Sequence, residues 1–140
     1  MSLRPTKSKT QMARVLVVED DVMLRYALAH WLRSGHEIFE AATADEALTI
    51  LKSIVTVDIV VTDVQMPGSM NGLDLTTYIR ESFPSLPVIV VSGNPISKDY
   101  AHAAAFFLKP YDFDRIAARI ETLLVTNQSA PAAKKKADRQ

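Results

Sequence analysis

At 140 residues, 48% apolar and 23% charged, the chain fits one globular domain with room for a sizeable core. Its 16 Lys and Arg balance 16 Asp and Glu, so no overall field draws it to nucleic acid or to a membrane surface. There is no cysteine, which excludes disulfides, thiolate metal sites and cysteine nucleophiles and points to a reducing cytoplasm. No apolar run reaches the length of a membrane-spanning helix. Residues 1–12 read as a disordered polar lead-in, without the apolar stretch a secretory signal needs.

Val15-Leu16-Val17-Val18 is a continuous β-branched and aliphatic run, expected as a strand buried on both faces, and it ends in Glu19, Asp20 and Asp21. A helix should follow, with Asp21 as N-cap, Val22, Ala27, Leu28, Trp31 and Leu32 near one face, and Gly35 as its stop. Residues 36–41 form a short strand around Ile38 and Phe39. Thr43-Ala44-Asp45-Glu46 has the capping-box pattern and opens a helix that buries Ala47, Leu48 and Leu51. The run Ile59-Val60-Val61 makes another doubly buried strand, reaching Asp63, and Met66-Pro67-Gly68 supplies a turn. Residues 71–83 read as a third helix, with Leu75, Tyr78 and Ile79 inward and Pro84 beyond its end. The fourth strand is Val88-Ile89-Val90-Val91, ending in Ser92-Gly93-Asn94. A short strand, Ala105-Phe106-Phe107-Leu108, closes at Lys109-Pro110, and Asp112 caps a last helix striped by Ile116, Ile120, Leu123 and Leu124. Residues 126–140 read as a disordered Ala/Lys-rich tail, which leaves 13–125 as the domain.

Strands that alternate with helices imply right-handed βαβ units, a parallel sheet and helices on both of its faces. Five strands fit the flavodoxin-like α/β order 2-1-3-4-5, in which strands 1 and 3 lie side by side at the switch point where such sheets bind ligands. Alone, Asp63 would more often be a turn former. In this order, however, Glu19 and Asp20 come to lie beside it, while the ends of strands 4 and 5 bring Ser92 and Lys109 toward the same crevice. Three carboxylates at one edge repel one another and call for a cation, and Mg2+, with its oxygen ligands and retained waters, suits a site that also takes a phosphate. A lysine and a hydroxyl beside the metal complete the outline of a phosphoryl-transfer site with a carboxylate nucleophile.

Val18-Glu19-Asp20, Thr62-Asp63-Val64-Gln65-Met66-Pro67-Gly68, Val91-Ser92-Gly93 and Lys109-Pro110, in this order, resemble the receiver domain of bacterial two-component response regulators. The resemblance implies that Asp63 is the phospho-acceptor, and that Glu19, Asp20 and Asp63 hold Mg2+ with the backbone carbonyl of Gln65. It further implies that Lys109 contacts the phosphoryl group through a loop with a cis Lys109–Pro110 bond. Ser92 and Phe106 would be the switch pair. The implied donor is a sensor histidine kinase or histidine phosphotransfer protein, and the implied output is altered affinity for a downstream protein. Self-catalysed phosphorylation and dephosphorylation are implied, rather than turnover of a separate substrate. A single-domain regulator, monomeric or weakly dimeric and without nucleic-acid or membrane partners, is the expectation.

Three departures from that pattern stand out. The loop after Asp63 is one residue longer than the commonest form, and Phe106 lacks the hydroxyl of the more frequent tyrosine. The connection from Ser92 to Ala105 is so short that the fourth helix, within residues 96–104, is expected to be truncated or irregular. Two competing readings are a phosphorylation-independent adaptor and a metal-dependent hydrolase. A hydrolase would want a general acid two residues after its nucleophile, where this chain has Gln65. His30, His36 and His102 read as structural or exposed, with no triad partners.

Overall fold

In the computed structural model, residues 12–94 and 103–128 are described. The strands β1 (Arg14–Val18), β2 (Glu37–Ala41), β3 (Ile59–Asp63), β4 (Val88–Ser92) and β5 (Ala105–Leu108) form one parallel sheet in the order β2-β1-β3-β4-β5. The described helices are α1 (Val22–Leu32), α2 (Ala44–Leu51), α3 (Gly72–Ser82) and α4 (Phe113–Gln128). This is the flavodoxin-like order expected from the alternation of elements. Residues 95–102 of the connection between β4 and β5, most of the stretch where a truncated helix is expected, lie outside the described residues, His102 among them.

The β-branched runs are buried on both sides because the sheet divides the core in two. Val15, Val17, Ile59, Val61, Ile89 and Val91 face Leu28, Ala29 and Leu32 of α1 and Ile116, Ile120 and Leu124 of α4. The alternate residues Leu16, Val18, Val60, Val88 and Val90 face Ala47 and Leu51 of α2 and Leu75 and Ile79 of α3. Period-2 alternation therefore feeds two apolar layers, neither of which meets water. Phe106 and Phe107 follow the same rule: half-buried on the edge strand β5, they pack against opposite layers.

Two local expectations are corrected. The buried seam of α1 is Leu28, Ala29 and Leu32, with Leu24 and Arg25 partly covered, whereas Val22 and Trp31 are 61% and 48% exposed. At 100° per residue those two flank the seam, and Trp31 instead lies across Phe113 with ring centroids 5.9 Å apart. Nor does Gly35 end α1 in a left-handed turn. The C-cap is Arg33 in right-handed geometry, and Gly68 is the only residue with positive φ among those described. The N-H groups of Gly35 and His36 both reach Leu32 O at 3.1 Å, so this helix closes without a left-handed glycine. The last helix continues through Gln128.

Candidate functional site

The site lies at the carboxyl edge of β1 and β3. Glu19 leaves β1 with its N-H bonded to Ala41 O at 3.0 Å, and its Oε2 accepts the Asp21 N-H at 3.1 Å. Asp21 turns away as the N-cap of α1, where its Oδ1 accepts from Met23 and Leu24. That leaves Asp20 exposed at the rim of the edge and Glu19 buried.

Asp63 ends β3, also buried, and its Oδ1 accepts the Val64 N-H at 2.8 Å. Its backbone is held as tightly as its carboxylate. Thr62 Oγ1 donates to Asp63 O at 2.9 Å, and the Gly72 N-H donates to Val64 O at 2.9 Å. A Cβ on Gly72 would fall 1.9 Å from Asp63 O, so only glycine lets the N-terminus of α3 lie against the end of β3. The Asn71–Asp74 capping box starts α3 at that point.

Lys109 comes from the end of β5 and places its ammonium 3.1 Å from Glu19 Oε1 and 3.2 Å from Asp63 Oδ2. Its N-H bonds Ser92 O at 2.8 Å, which ties the ends of β4 and β5 together, and the Lys109–Pro110 bond is cis. Ser92 is buried, and its Oγ accepts the Asn94 N-H at 3.1 Å, leaving the hydroxyl proton to donate elsewhere. It stands one residue beyond Val91, the register partner of Asp63. Gln65 is exposed on the loop after Asp63, lining a polar cavity of about 270 Å³ with Ser69, Asn71 and Asp74. On β5, Phe106 is the register partner of Val90 on β4, and it packs on the face opposite α1. Glu19, Asp20, Asp63, Ser92 and Lys109 thus converge on one edge, while Phe106 lies along the sheet from it.

The electrostatics of that edge are in conflict. Burial, reinforced by the Asp63 charge and opposed by the Asp21 N-H and Lys109, pushes the Glu19 carboxyl up to about 7. Burial works against the charge on Lys109 as well, but bonding and attraction to Glu19 and Asp63 outweigh it and hold the ammonium above its ordinary range. The Tyr111 phenol is raised too, first by burial and then by the charges of Glu19, Asp63 and Asp21. Glu19 Oε1 is buried, with the Lys109 ammonium 3.1 Å away as its charged partner. One oxygen each from Glu19, Asp20 and Asp63 lie within 4.8 Å of one another. An all-oxygen donor set this close, with three carboxylates gathered at one edge and two of them on one ammonium, fits a small hard divalent cation.

The model of the response regulator receiver domain family matches residues 15–121. The chain belongs to that family. The two-component response regulator PhoP of Pseudomonas aeruginosa is 32% identical over 117 residues, covering 79% of this chain and 51% of its own length. The structure of the response regulator TrrA of Thermotoga maritima in complex with Mg2+-BeF superimposes with a TM-score of 0.74 at 28% identity, covering 80% of this chain and 99% of that one. NtrX of Brucella abortus, solved in complex with ATP, gives a TM-score of 0.77 at 31% identity over 86% of this chain and 28% of that one. The chain spans about half the length of the first curated relatives it matches. Receiver domains are signalling domains that use Mg2+ at an acidic pocket and interact with histidine kinases or phosphotransfer proteins. No helix among the described residues is long and apolar enough to cross a membrane.

Several residues around this receiver site were not singled out in the sequence. Arg25 donates through its terminal nitrogen to Glu19 O at 2.9 Å and through Nε to Glu40 Oε1 at 3.0 Å. Its only signal was a cation one helical turn after the cap Asp21. Gly72 had a turn-like signal, being one of two glycines in the loop after Asp63, but its close approach to Asp63 is a tertiary fact. Tyr111, directly after the cis proline, carries no sequence signal that its ring is half-buried near the acids.

Proposed function

We propose that this receiver domain takes a phosphoryl group from a phosphohistidine donor onto Asp63 and thereby changes its affinity for a downstream protein. The observation that carries the reading is the acceptor's setting: a buried carboxylate, fixed through backbone and side chain, sharing a single ammonium with Glu19. A carboxylate held this way needs little reorganisation to become a nucleophile. An oxygen of Asp63 forms the new O–P bond as the N–P bond of the donor breaks, and that electron pair returns to the donor imidazole, which takes up a proton. Lys109 meets the phosphoryl oxygens with positive charge, and the Ser92 hydroxyl donates a hydrogen bond to one of them.

Glu19, Asp20, Asp63 and the backbone carbonyl of Gln65 would hold Mg2+. When bound, the ion supplies charge neutralisation for the carboxylates and the transferred group. Ser92 and Phe106 are the residues through which the new state is passed to the β4–β5 face, Ser92 by turning to the phosphoryl group and Phe106 by repacking on its layer.

Incubation with a small-molecule phosphodonor and Mg2+, followed by intact mass, tests this. The wild type should gain one phosphoryl group and Asp63→Asn none. Equal labelling of Asp63→Asn would move the acceptor elsewhere and overturn the assignment.

A further inference from the structure

The turn that carries Glu19 and Asp20 is held from behind by a guanidinium. Arg25, from the first half of α1, lies partly buried with 18% of its side chain exposed. It spans two anchors at once: Nε pairs with Glu40 Oε1 on β2 at 3.0 Å, and a terminal nitrogen donates to the Glu19 backbone carbonyl at 2.9 Å. The second oxygen of Glu40 is taken by Arg33 at 3.1 Å, so the carboxylate that orients Arg25 is itself fixed. With the Glu19 N-H bonded to Ala41 O, both backbone polar groups of Glu19 are anchored, one directly to β2 and one through Arg25 to Glu40 on the same strand.

We infer that Arg25 is a positioning residue for the cation site, holding the Glu19-Asp20 turn in its ligating geometry through the Glu19 carbonyl, with Glu40 as its orienting partner. The guanidinium suits this task because its planar fork reaches two acceptors in fixed directions, which a lysine ammonium on a flexible stem does not. Among the described residues, the hydrogen bonds and ion pairs of Arg25 reach the Glu19 carbonyl and Glu40, and no carboxylate oxygen of the site. Its effect is therefore on how often the turn stands ready. A site whose competent geometry is populated only part of the time binds more weakly in that proportion. Loss of a partner that orients a ligating group commonly costs ten-fold or more in metal affinity. The same chain of contacts links β2, at one edge of the sheet, to the site at its centre.

This inference rests on the reading of the acidic edge as a Mg2+ site, and the experiment separates the two. Mg2+ is titrated calorimetrically into the wild type, Arg25→Ala, Arg25→Lys and Arg33→Ala, and Asp63 phosphorylation by a small phosphodonor is followed against Mg2+ concentration. Arg25→Ala should raise the Mg2+ Kd about ten-fold while the phosphorylation rate at saturating Mg2+ stays near wild type. Arg25→Lys should fall between the two. Arg33→Ala, which removes a cation from the same carboxylate but leaves Arg25 on the Glu19 carbonyl, should raise the Kd far less than Arg25→Ala does. A wild-type Kd in folded Arg25→Ala overturns the proposal. So does an equal loss in Arg33→Ala, which would make the effect one of charge alone. If Arg25→Ala does not fold, a wild-type Kd in Arg25→Lys overturns it in the same way. A wild type that binds no Mg2+ overturns the reading of the site itself, and this inference with it.

Discussion

At the start of β1, the Ala13 N-H donates to His36 Nδ1 at 3.1 Å, and the other ring nitrogen meets Glu121 Oε2 at 2.8 Å. At the end of the same strand, Glu19 and Asp63 are buried around one ammonium, with Asp20 exposed beside them. Both ends bury ionisable groups, and they settle them differently. An acceptor Nδ1 fixes the proton on Nε2, facing Glu121, so both polar atoms of the imidazole are satisfied without any outside group. At the other end three carboxylates crowd one edge, two of them sharing one lysine, and without a cation the crowding is eased only by Glu19 holding a proton up to about pH 7. The first cluster staples β1 to α4. The second is held rigid by Thr62, Gly72 and Arg25 while remaining electrostatically incomplete, as a binding site must.

Substitutions at the two ends should therefore separate. The largest loss of stability is expected from Gly72→Ala, because the added methyl would meet the Asp63 backbone rather than a movable side chain. Urea unfolding should show a cost of about 3 kcal/mol or more. His36→Ala should cost about 2 kcal/mol in the same assay, since it strands the Ala13 N-H and removes a partner of Glu121. Its phosphorylation at Asp63 and its response to Mg2+ should stay those of the wild type. If His36→Ala also lost the Mg2+ response, the two ends would not be independent.

A smaller effect is expected from pH. The Glu19 carboxyl rises from 4.5 to about 7 on folding, so between those values the native state keeps a proton that the unfolded chain has released. Its contribution to stability is thus full below about pH 4.5 and is lost as pH rises through about 7. Glu19→Gln should flatten that slope in thermal unfolding without Mg2+. In the wild type the stabilisation by Mg2+, which needs the ionised form, should be larger at about pH 8 than at about pH 6. An equal Mg2+ effect at both would remove Glu19 from the ligand set.

How much of this was legible beforehand follows from what each feature depends on. The strand runs, their order and the convergence of Glu19, Asp20, Asp63, Ser92 and Lys109 could be read because periodicity and chain topology are local patterns combined by a general rule. The seam of α1 could not be fully read. Val22 and Trp31 are apolar, but the sheet contacts a narrower arc than the list of apolar residues suggests, and Arg25 occupies part of that arc through its ion pair. Gly35 has turn composition, yet the C-cap at Arg33 needs no positive φ. His36 has no partner within reach of a local pattern, because Glu121 lies 85 residues away in sequence. Close approach, as at Gly72, and long-range polar pairing, as at Arg25 and His36, are set by the assembled fold.

The acidic edge is crowded by its own charge, and a divalent cation would relieve it. Thermal unfolding of the wild type and Asp63→Asn, each with and without Mg2+ at about pH 8, tests it most directly. Without the ion, Asp63→Asn should be as stable as the wild type or more so, because the near-isosteric amide removes one of the crowded charges. With Mg2+ at about a hundred times its Kd, the wild type should gain about 2.7 kcal/mol, a rise in Tm of roughly 5–10 °C, and Asp63→Asn much less. A wild-type Tm indifferent to Mg2+, together with an Asp63→Asn variant less stable than the wild type, would contradict the account.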